Sequence, residues 1–333
     1  MHDASKIGPK PSLFTGDSKM GRGLIIFILL VVVGLTLSGW REALAGLSSI
    51  GIGKLALLFC FASIHYIVRA VRWHLLVRAG HVDIALSRNF LFFLGGFAMT
   101  ATPGRIGELV RLRWLCRHSG QGFGMLLPIV FADRAVELAA MVLLIILCLM
   151  LVSLQSGAVW VLLVVASLLV WVICRPALLE AALGSIWWLS GKRFSRLFVK
   201  LRRMARRLTP FMKPGILVPA VGLGVLGWAF EGVAFYYLLV WLGVDISVWA
   251  ASAIFLIAIL SGALSGLPGG LGGTEASAVA LLLLQGVSID TAILATLIIR
   301  VTTLWFAVFI GIITFPIAET LSGKQKLGHA END

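Results

Sequence analysis

Apolar residues run along this chain in long stretches, and polar residues gather in short clusters between them. A helix needs about 20 apolar residues to cross a bilayer. Run length and Gly/Pro punctuation predict full spans at about 23–40, 52–79, 124–153, 157–174, 215–242 and 290–318. Two further apolar segments are cut by Pro-Gly. One pair covers about 88–101 and 104–116, the other about 248–266 and 269–286. Each break is followed at once by charge, as in "TATPGRIGELVRLR" from Thr100 and "SGLPGGLGGTEAS" from Ser265. The expected fold is all-α: a polytopic membrane helix bundle of six full spans plus two broken re-entrant helix pairs.

The chain also repeats itself. "HLLVRAGHVDIALSRNFLFF" from His74 parallels "YLLVWLGVDISVWAASAIFL" from Tyr237. Each leads to a Pro-Gly break and then to a helix with an embedded arginine, Arg134 or Arg300, at an offset of 163 to 166. The predicted order is a polar N-terminus (1–22), a first span and loop (23–50) and repeat 1 (51–155, with the re-entrant pair 88–116). A connecting span with a basic segment (156–214), repeat 2 (215–319, with the pair 248–286) and a polar tail (320–333) follow.

Charge sets the orientation. The 333 residues are 59% hydrophobic and 13% charged, with a net charge of +13. Soluble domains are about 45–50% apolar and about 25% charged. Ten of the Lys and Arg residues fall in 175–213, which positive-inside bias assigns to the cytoplasm. The positive charge therefore reads as topology rather than nucleic-acid binding. Both termini are expected in the cytoplasm. On this count the first broken pair enters from inside and the second from outside, so the repeats are inverted. Inverted repeats with discontinuous helices are a common construction of alternating-access transporters.

Irregular backbone inside a membrane persists only where protein or a water-filled cavity satisfies it. Pro103 and Pro268 lack an N–H, so each is suited to open a new helix. Gly104, Gly107, Gly269, Gly270, Gly272 and Gly273 permit tight turns and close helix approach. The free N–H groups of such a helix start suit a phosphate, or Glu108 and Glu275 in the first turn. The alternative is a pair of hairpins whose glycines only let helices touch. Arg105, Arg134 and Arg300 are candidates to attract an anionic headgroup, with Glu108, Glu137, Glu231 and Glu275 balancing them. Asp133, Arg134 and Glu137 also fit an internally neutralised cluster. Arg300 has no acid within a turn of its own helix. It needs Glu231, Glu275, a carbonyl or a substrate anion.

His65, Arg69 and Arg72 share one face of a helix, with Trp73 adjacent. Snorkelling to the headgroups explains them; a secondary headgroup contact, with Arg111, is the alternative. The segment from Gly191 alternates apolar and basic positions at helical spacing, as in a helix lying on an anionic leaflet. The four cysteines read as small buried hydrophobes. No phosphate-binding G-x-x-x-x-G-K-[ST], D-x-D, H-E-x-x-H or nucleophile–base pair occurs. No catalytic residue, metal or cofactor is expected.

Four elements carry a resemblance: "RAVRWHLLVRAG", "TPGRIGELVR", "FADRAVEL" and "GLPGGLGGTEA". With them the chain resembles the membrane family typified by the flippase domain of bacterial lysylphosphatidylglycerol synthase, the multiple peptide resistance factor. The resemblance spans roughly residues 50 to 315. It implies a lipid-translocating or lipid-handling role and a central cavity around Pro103, Arg105, Glu108, Arg134, Pro268, Glu275 and Arg300. The chain ends at Asp333 in a short polar tail, so aminoacyl transfer is not expected. The expectation is a non-enzymatic translocase of the bacterial inner membrane acting on an anionic phospholipid, glycolipid or polyprenyl-linked lipid. The alternatives are a scaffold presenting lipid to a lipid-modifying or glycosyltransferase partner, and a membrane-embedded transferase. A homodimer is compatible with the sequence.

Overall fold

The computed structural model describes residues 50–100, 106–152, 181, 184–188 and 195–323. The predicted spans at about 23–40 and 157–174, both chain ends, and Pro103, Gly104 and Arg105 lie outside the described residues. The described residues include ten α-helices. They are α1 (Ile52–Ala79), α2 (Leu86–Gly95), α3 (Ile106–Ser119), α4 (Phe123–Val152) and α5 (Ser195–Leu208). They continue as α6 (Pro214–Trp241), α7 (Val248–Leu264), α8 (Gly273–Leu284), α9 (Ile289–Arg300) and α10 (Phe306–Gly323). A π-helical turn, Val301–Trp305, joins α9 to α10 in one rod of 35 residues. The helices α1, α4, α6 and this rod are long and apolar enough to cross a membrane. The protein is an all-α, multi-pass membrane protein.

The order long, short, short, long occurs twice, from α1 to α4 and from α6 to α10. Corresponding starts differ by 162 to 167 positions. The correspondence extends to backbone conformation. After α1 the chain turns through His81 at φ 58, and Val82 N–H bonds Val77 O at 3.3 Å. After α6 it turns through Gly243 at φ 81, and Val244 N–H bonds Leu239 O at 3.0 Å. Both are left-handed caps that satisfy a helix-end carbonyl. Glycine adopts this conformation at little cost; His81 is the one non-glycine at positive φ among the described residues. Ser247 and Ser288 cap α7 and α9, accepting from Ala250 N and Thr291 N at 3.1 and 3.4 Å.

The long helices α1 and α6 are antiparallel. Lys54 lies over Trp241, Phe61 stacks on Tyr237, His65 meets Trp228 and Arg72 reaches Gly224. The two halves also interlock. The short helix α2 and its 3₁₀ extension, Gly96–Met99, pack on α10; α7 packs on α4 as well as α6. Gly311 of α10 lies so close to the first hairpin that a Cβ there would overlap the Phe97 and Ala98 backbone. Within that hairpin, a Cβ on Gly107 would collide with the Gly96 carbonyl oxygen.

The second break differs from expectation in one respect. Pro268 opens a 3₁₀ turn, Pro268–Gly270, not the helix that follows. Gly269, Gly270 and Gly272 carry positive φ (61, 68 and 80), and α8 begins only at Gly273. Three left-handed residues in so short a stretch cannot continue a right-handed helix. Of the cysteines, Cys148 is buried, Cys116 half-buried and Cys60 exposed, so Cys60 is not the buried residue expected. Cys174 lies outside the described residues.

The interlock gives a stability prediction. Gly311→Leu should overpack the α10–hairpin contact and cost about 1–3 kcal/mol. Gly222→Ala in α6 meets open space. It should be neutral or stabilise by up to about 1 kcal/mol. Thermal unfolding of the two variants in detergent, followed by circular dichroism, checks both.

Candidate functional site

The inward face of α1 carries His65, Arg69 and Arg72, spaced so that they stand one above another. They turn inward because α6 and α4 receive them. On α6 a Cβ at Gly224 would come within 3.3 Å of Arg72 Nη1, and one at Gly227 within 3.1 Å of His65 Nδ1. On α4 Asp133 and Glu137 share a face and supply the charge. Arg72 is fully buried. It donates from Nε and Nη2 to Asp133 Oδ1 at 3.0 and 2.8 Å, and from Nη2 to Glu137 Oε2 at 3.1 Å. Arg69 Nη2 lies 2.8 Å from Glu137 Oε1. Arg134 Nη2 lies 2.8 Å from Asp133 Oδ2 and 2.7 Å from Glu137 Oε2. Charge-assisted pairs of this kind keep ions viable at low dielectric.

The snorkelling expected for Arg69 and Arg72 is therefore overturned. His65 and Arg72 are buried, and both arginines pair with acids of α4. Trp73 is buried too. Its Nε1 donates to Asn89 Oδ1 at 3.1 Å, and its ring faces Phe93.

In the second half, Arg300 ends α9. Its Nε donates to Glu275 Oε1 at 2.5 Å and its Nη2 to the Gly269 carbonyl at 2.9 Å. Arg300 thus binds both the 3₁₀ turn and the first turn of α8. Of the partners open to it, Glu275 and a carbonyl are the ones used. Glu231, midway along α6, lies 3.6 Å from His65 Nε2 instead. The π turn beside Arg300 widens the helix at this level. Tyr66 donates its hydroxyl to the Thr303 carbonyl there at 2.5 Å.

These groups surround one cavity of about 210 Å³. Arg69, Arg134, Glu137, Glu231 and Arg300 line it, with His65, Tyr66 and Arg111. Gly107 of the first hairpin and Gly269 of the second reach it from different sides of the chain's repeat. Leu138, Met141, Ile259, Leu260, Ala263 and Leu304 complete an apolar wall. Arg111 is buried, with its guanidinium 4.1 Å from the Phe93 ring and 5.0 Å from Phe97, a cation–π arrangement. Glu275 stands behind Arg300, Gly270 is buried, Gly272 precedes α8 and Gly273 begins it. Glu108 falls in the first turn of α3. Among the described side chains of the site, five guanidinium groups (Arg69, Arg72, Arg111, Arg134, Arg300) meet four carboxylates (Asp133, Glu137, Glu231, Glu275). That leaves one positive charge in excess when all are ionised. Among the described residues, no group of three or more His, Cys, Asp or Glu is placed to hold a metal ion.

Sequence reasoning did not single out Tyr66, Trp228 or the π turn as part of the site. An aromatic residue in an apolar helix carries no signal of its own. His65 was visible on the Arg69–Arg72 face, and the acids of α4 were its available counterpart.

The family model described as the lysylphosphatidylglycerol synthase TM region matches residues 22–311. The chain belongs to this family. Its relatives include a UPF0104 membrane protein of Methanothermobacter thermautotrophicus, 25% identical over 269 residues, which cover 74% of this chain and 80% of the relative. Another is a UPF0104 membrane protein of Pyrococcus horikoshii, 20% identical over 323 residues, covering 86% of this chain and 94% of that protein. The match covers the first repeat, the second as far as residue 311, both hairpins and every residue that lines the cavity.

Arg72→Met should leave Asp133 and Glu137 undercompensated and destabilise the fold by about 3–5 kcal/mol. Asp133→Asn added to Arg72→Met should recover part of that loss. Denaturant unfolding of single and double variants in mixed micelles measures it. Equal or additive losses would mean that Arg72 acts through shape rather than charge.

Proposed function

We propose that this protein is a lipid translocase, carrying an anionic headgroup between leaflets by alternating access while the acyl or prenyl chains stay in the bilayer. The observation that supports this most is the cavity. It lies between two broken hairpins, is lined by Arg69, Arg111, Arg134 and Arg300, and carries excess positive charge beside an apolar wall. Ionisable groups inside a membrane bundle are costly and mark substrate pathways. A lipid needs both surfaces at once: guanidinium donors for a phosphate and an apolar wall for the first methylenes of its chains.

The antiparallel contact of α1 with α6 supports an inverted repeat, because these are the corresponding first helices of the two halves. In such a molecule each hairpin faces a different side of the membrane, and rocking one half against the other exposes a fixed site to each side in turn. The reading places both termini in the cytoplasm and the protein in a cell's cytoplasmic membrane. Its partners are anionic lipids; the chemistry is transport, not catalysis.

The test is purified protein in liposomes doped with fluorescent phosphatidylglycerol, with chemical quenching of the outer leaflet. The protein should accelerate headgroup exchange, and Arg134→Ala plus Arg300→Ala should slow it by about tenfold or more, about 1.4 kcal/mol of headgroup binding. No acceleration with any anionic lipid would favour a scaffold that presents lipid to a partner synthase. The topology has its own check. Single cysteines at Ile106 and Leu271, in a cysteine-free background, should react with an impermeant reagent from opposite sides of the membrane.

A further inference from the structure

One carboxylate in the cavity is held differently from the rest. Glu137 meets Arg69, Arg72 and Arg134; Asp133 meets Arg72 and Arg134; Glu275 meets Arg300. Among the described residues, Glu231 has His65 as its basic neighbour within 4 Å, at 3.6 Å from Nε2 to Oε1. Both side chains are buried, and both line the cavity. They sit where α1 and α6 cross, midway along each helix. The Gly227 backbone closes against the other ring nitrogen, within 3.1 Å of a Cβ position, which leaves Nε2 aimed at Glu231.

A buried carboxylate without a guanidinium avoids an isolated charge by taking a proton or sharing one. An imidazole–carboxylate pair does either without moving the backbone. We propose that His65 and Glu231 form a proton-binding site that fills when an anionic headgroup enters the cavity, so that lipid and proton cross together. This rests on the translocase reading. The proton comes from water on the side to which the cavity is open, resides on Nε2 or Oε1, and leaves on the other side; no covalent bond of the lipid changes.

The surrounding charges favour this pair as the titrating element. From α1 it faces Tyr66, Arg69 and Arg72; from α4, Arg134 and Glu137; from α3, Arg111; from α9, Arg300 with Glu275 behind it. The guanidiniums keep their charge at every physiological pH. The other carboxylates are held by them. An anion beside Glu231 is repelled by its charge, and a proton removes that repulsion. By linkage, each ligand then strengthens the other by the same factor.

The experiment uses the full chain in phosphatidylcholine nanodiscs. Dihexanoyl phosphatidylglycerol is titrated in by calorimetry, in two buffers of different ionisation enthalpy. Wild type should take up about one proton per lipid. Its affinity should rise as pH falls, by up to about tenfold per pH unit, and level off in acid. Glu231→Gln should take up none and bind at every pH as wild type binds in acid. His65→Gln should lose the pH dependence as well. Binding without proton uptake in wild type, or uptake unchanged in both variants, overturns the proposal. A probe that binds at no pH counts against the translocase reading instead. The proton site is then decided on the lipid-free protein by infrared difference spectra between acid and alkaline pH. A protonated-carboxyl carbonyl band lost in Glu231→Gln, or an imidazolium ring band lost in His65→Gln, sustains it; a wild-type spectrum with neither band overturns it.

Discussion

A guanidinium placed at membrane depth must find carboxylates inside the protein, and Arg72 finds two. Inserting an arginine at the centre of a membrane helix costs about 2.5–3.5 kcal/mol even on permissive scales. The compensation binds α1 to α4 through Asp133 and Glu137. Lipid tails are as apolar as leucine, so burial alone gives membrane helices little reason to associate. A charged network and close glycine contacts supply that reason here. Gly224 lets α6 approach both Arg72 and Ala140, so three of the long helices meet around one fully buried side chain. The cavity opens beside this knot. Arg69 and Arg134 reach it because Arg72 holds the two acids in place behind them.

The second constraint is mutual support between the halves. Each broken hairpin packs on the last long helix of the other half: α2 on α10, and α7 on α4. Neither hairpin has a complete set of neighbours within its own repeat. This exchange mates each hairpin with a long helix from outside its own repeat. The same exchange brings Gly107 and Gly269 to one cavity although they are far apart in sequence. A further tie fixes the end of the first hairpin. Trp114 Nε1 donates to Glu319 Oε2 at 2.6 Å, and Arg117 pairs with the same carboxylate. Helix α5 packs on α4. It buries Ala205 and Leu208 and exposes Arg203, Arg206 and Arg207, with Arg207 donating to Gly124 O at 2.6 Å.

Run length and punctuation made most of the fold legible. The spans expected at about 52–79, 124–153 and 215–242 fall within a residue of α1, α4 and α6. Gly243 and its neighbours marked one helix end, while His81 did the same work with no glycine to announce it. The site was legible as a set of charges, not as a set of pairs. Arg134 with Glu137 follows from helical spacing. Arg72 with Asp133 does not, because it depends on which faces of α1 and α4 meet. The direction of the Arg69–Arg72 face was misread for the same reason: proximity to a helix end suggested water, and only tertiary contact reveals the acids. The π turn carried no compositional signal at all. The Tyr66 hydroxyl donates to the Thr303 carbonyl within it.

The two halves share a backbone plan but not a charge plan, and the difference has a physical consequence. Arg134 and Arg300 stand at the same place, twelfth in their helices. On α4 the neighbouring positions are Asp133 and Glu137, so Arg134 has acids on its own helix. In the second half those two positions are Ile299 and Thr303. Arg300 must therefore draw its partners from elsewhere, and it takes Glu275 and the Gly269 carbonyl from the second hairpin. Arg69 likewise corresponds to Glu231, a cation in one half and an acid in the other. A duplicated scaffold with identical charges would place like charges opposite one another across the α1–α6 crossing. Glu231, rather than a second arginine at that position, avoids such a like charge beside Arg69 in the cavity. The second half is also left with an arginine anchored to a hairpin rather than to its own helix, so displacement of that hairpin would break both bonds that hold Arg300.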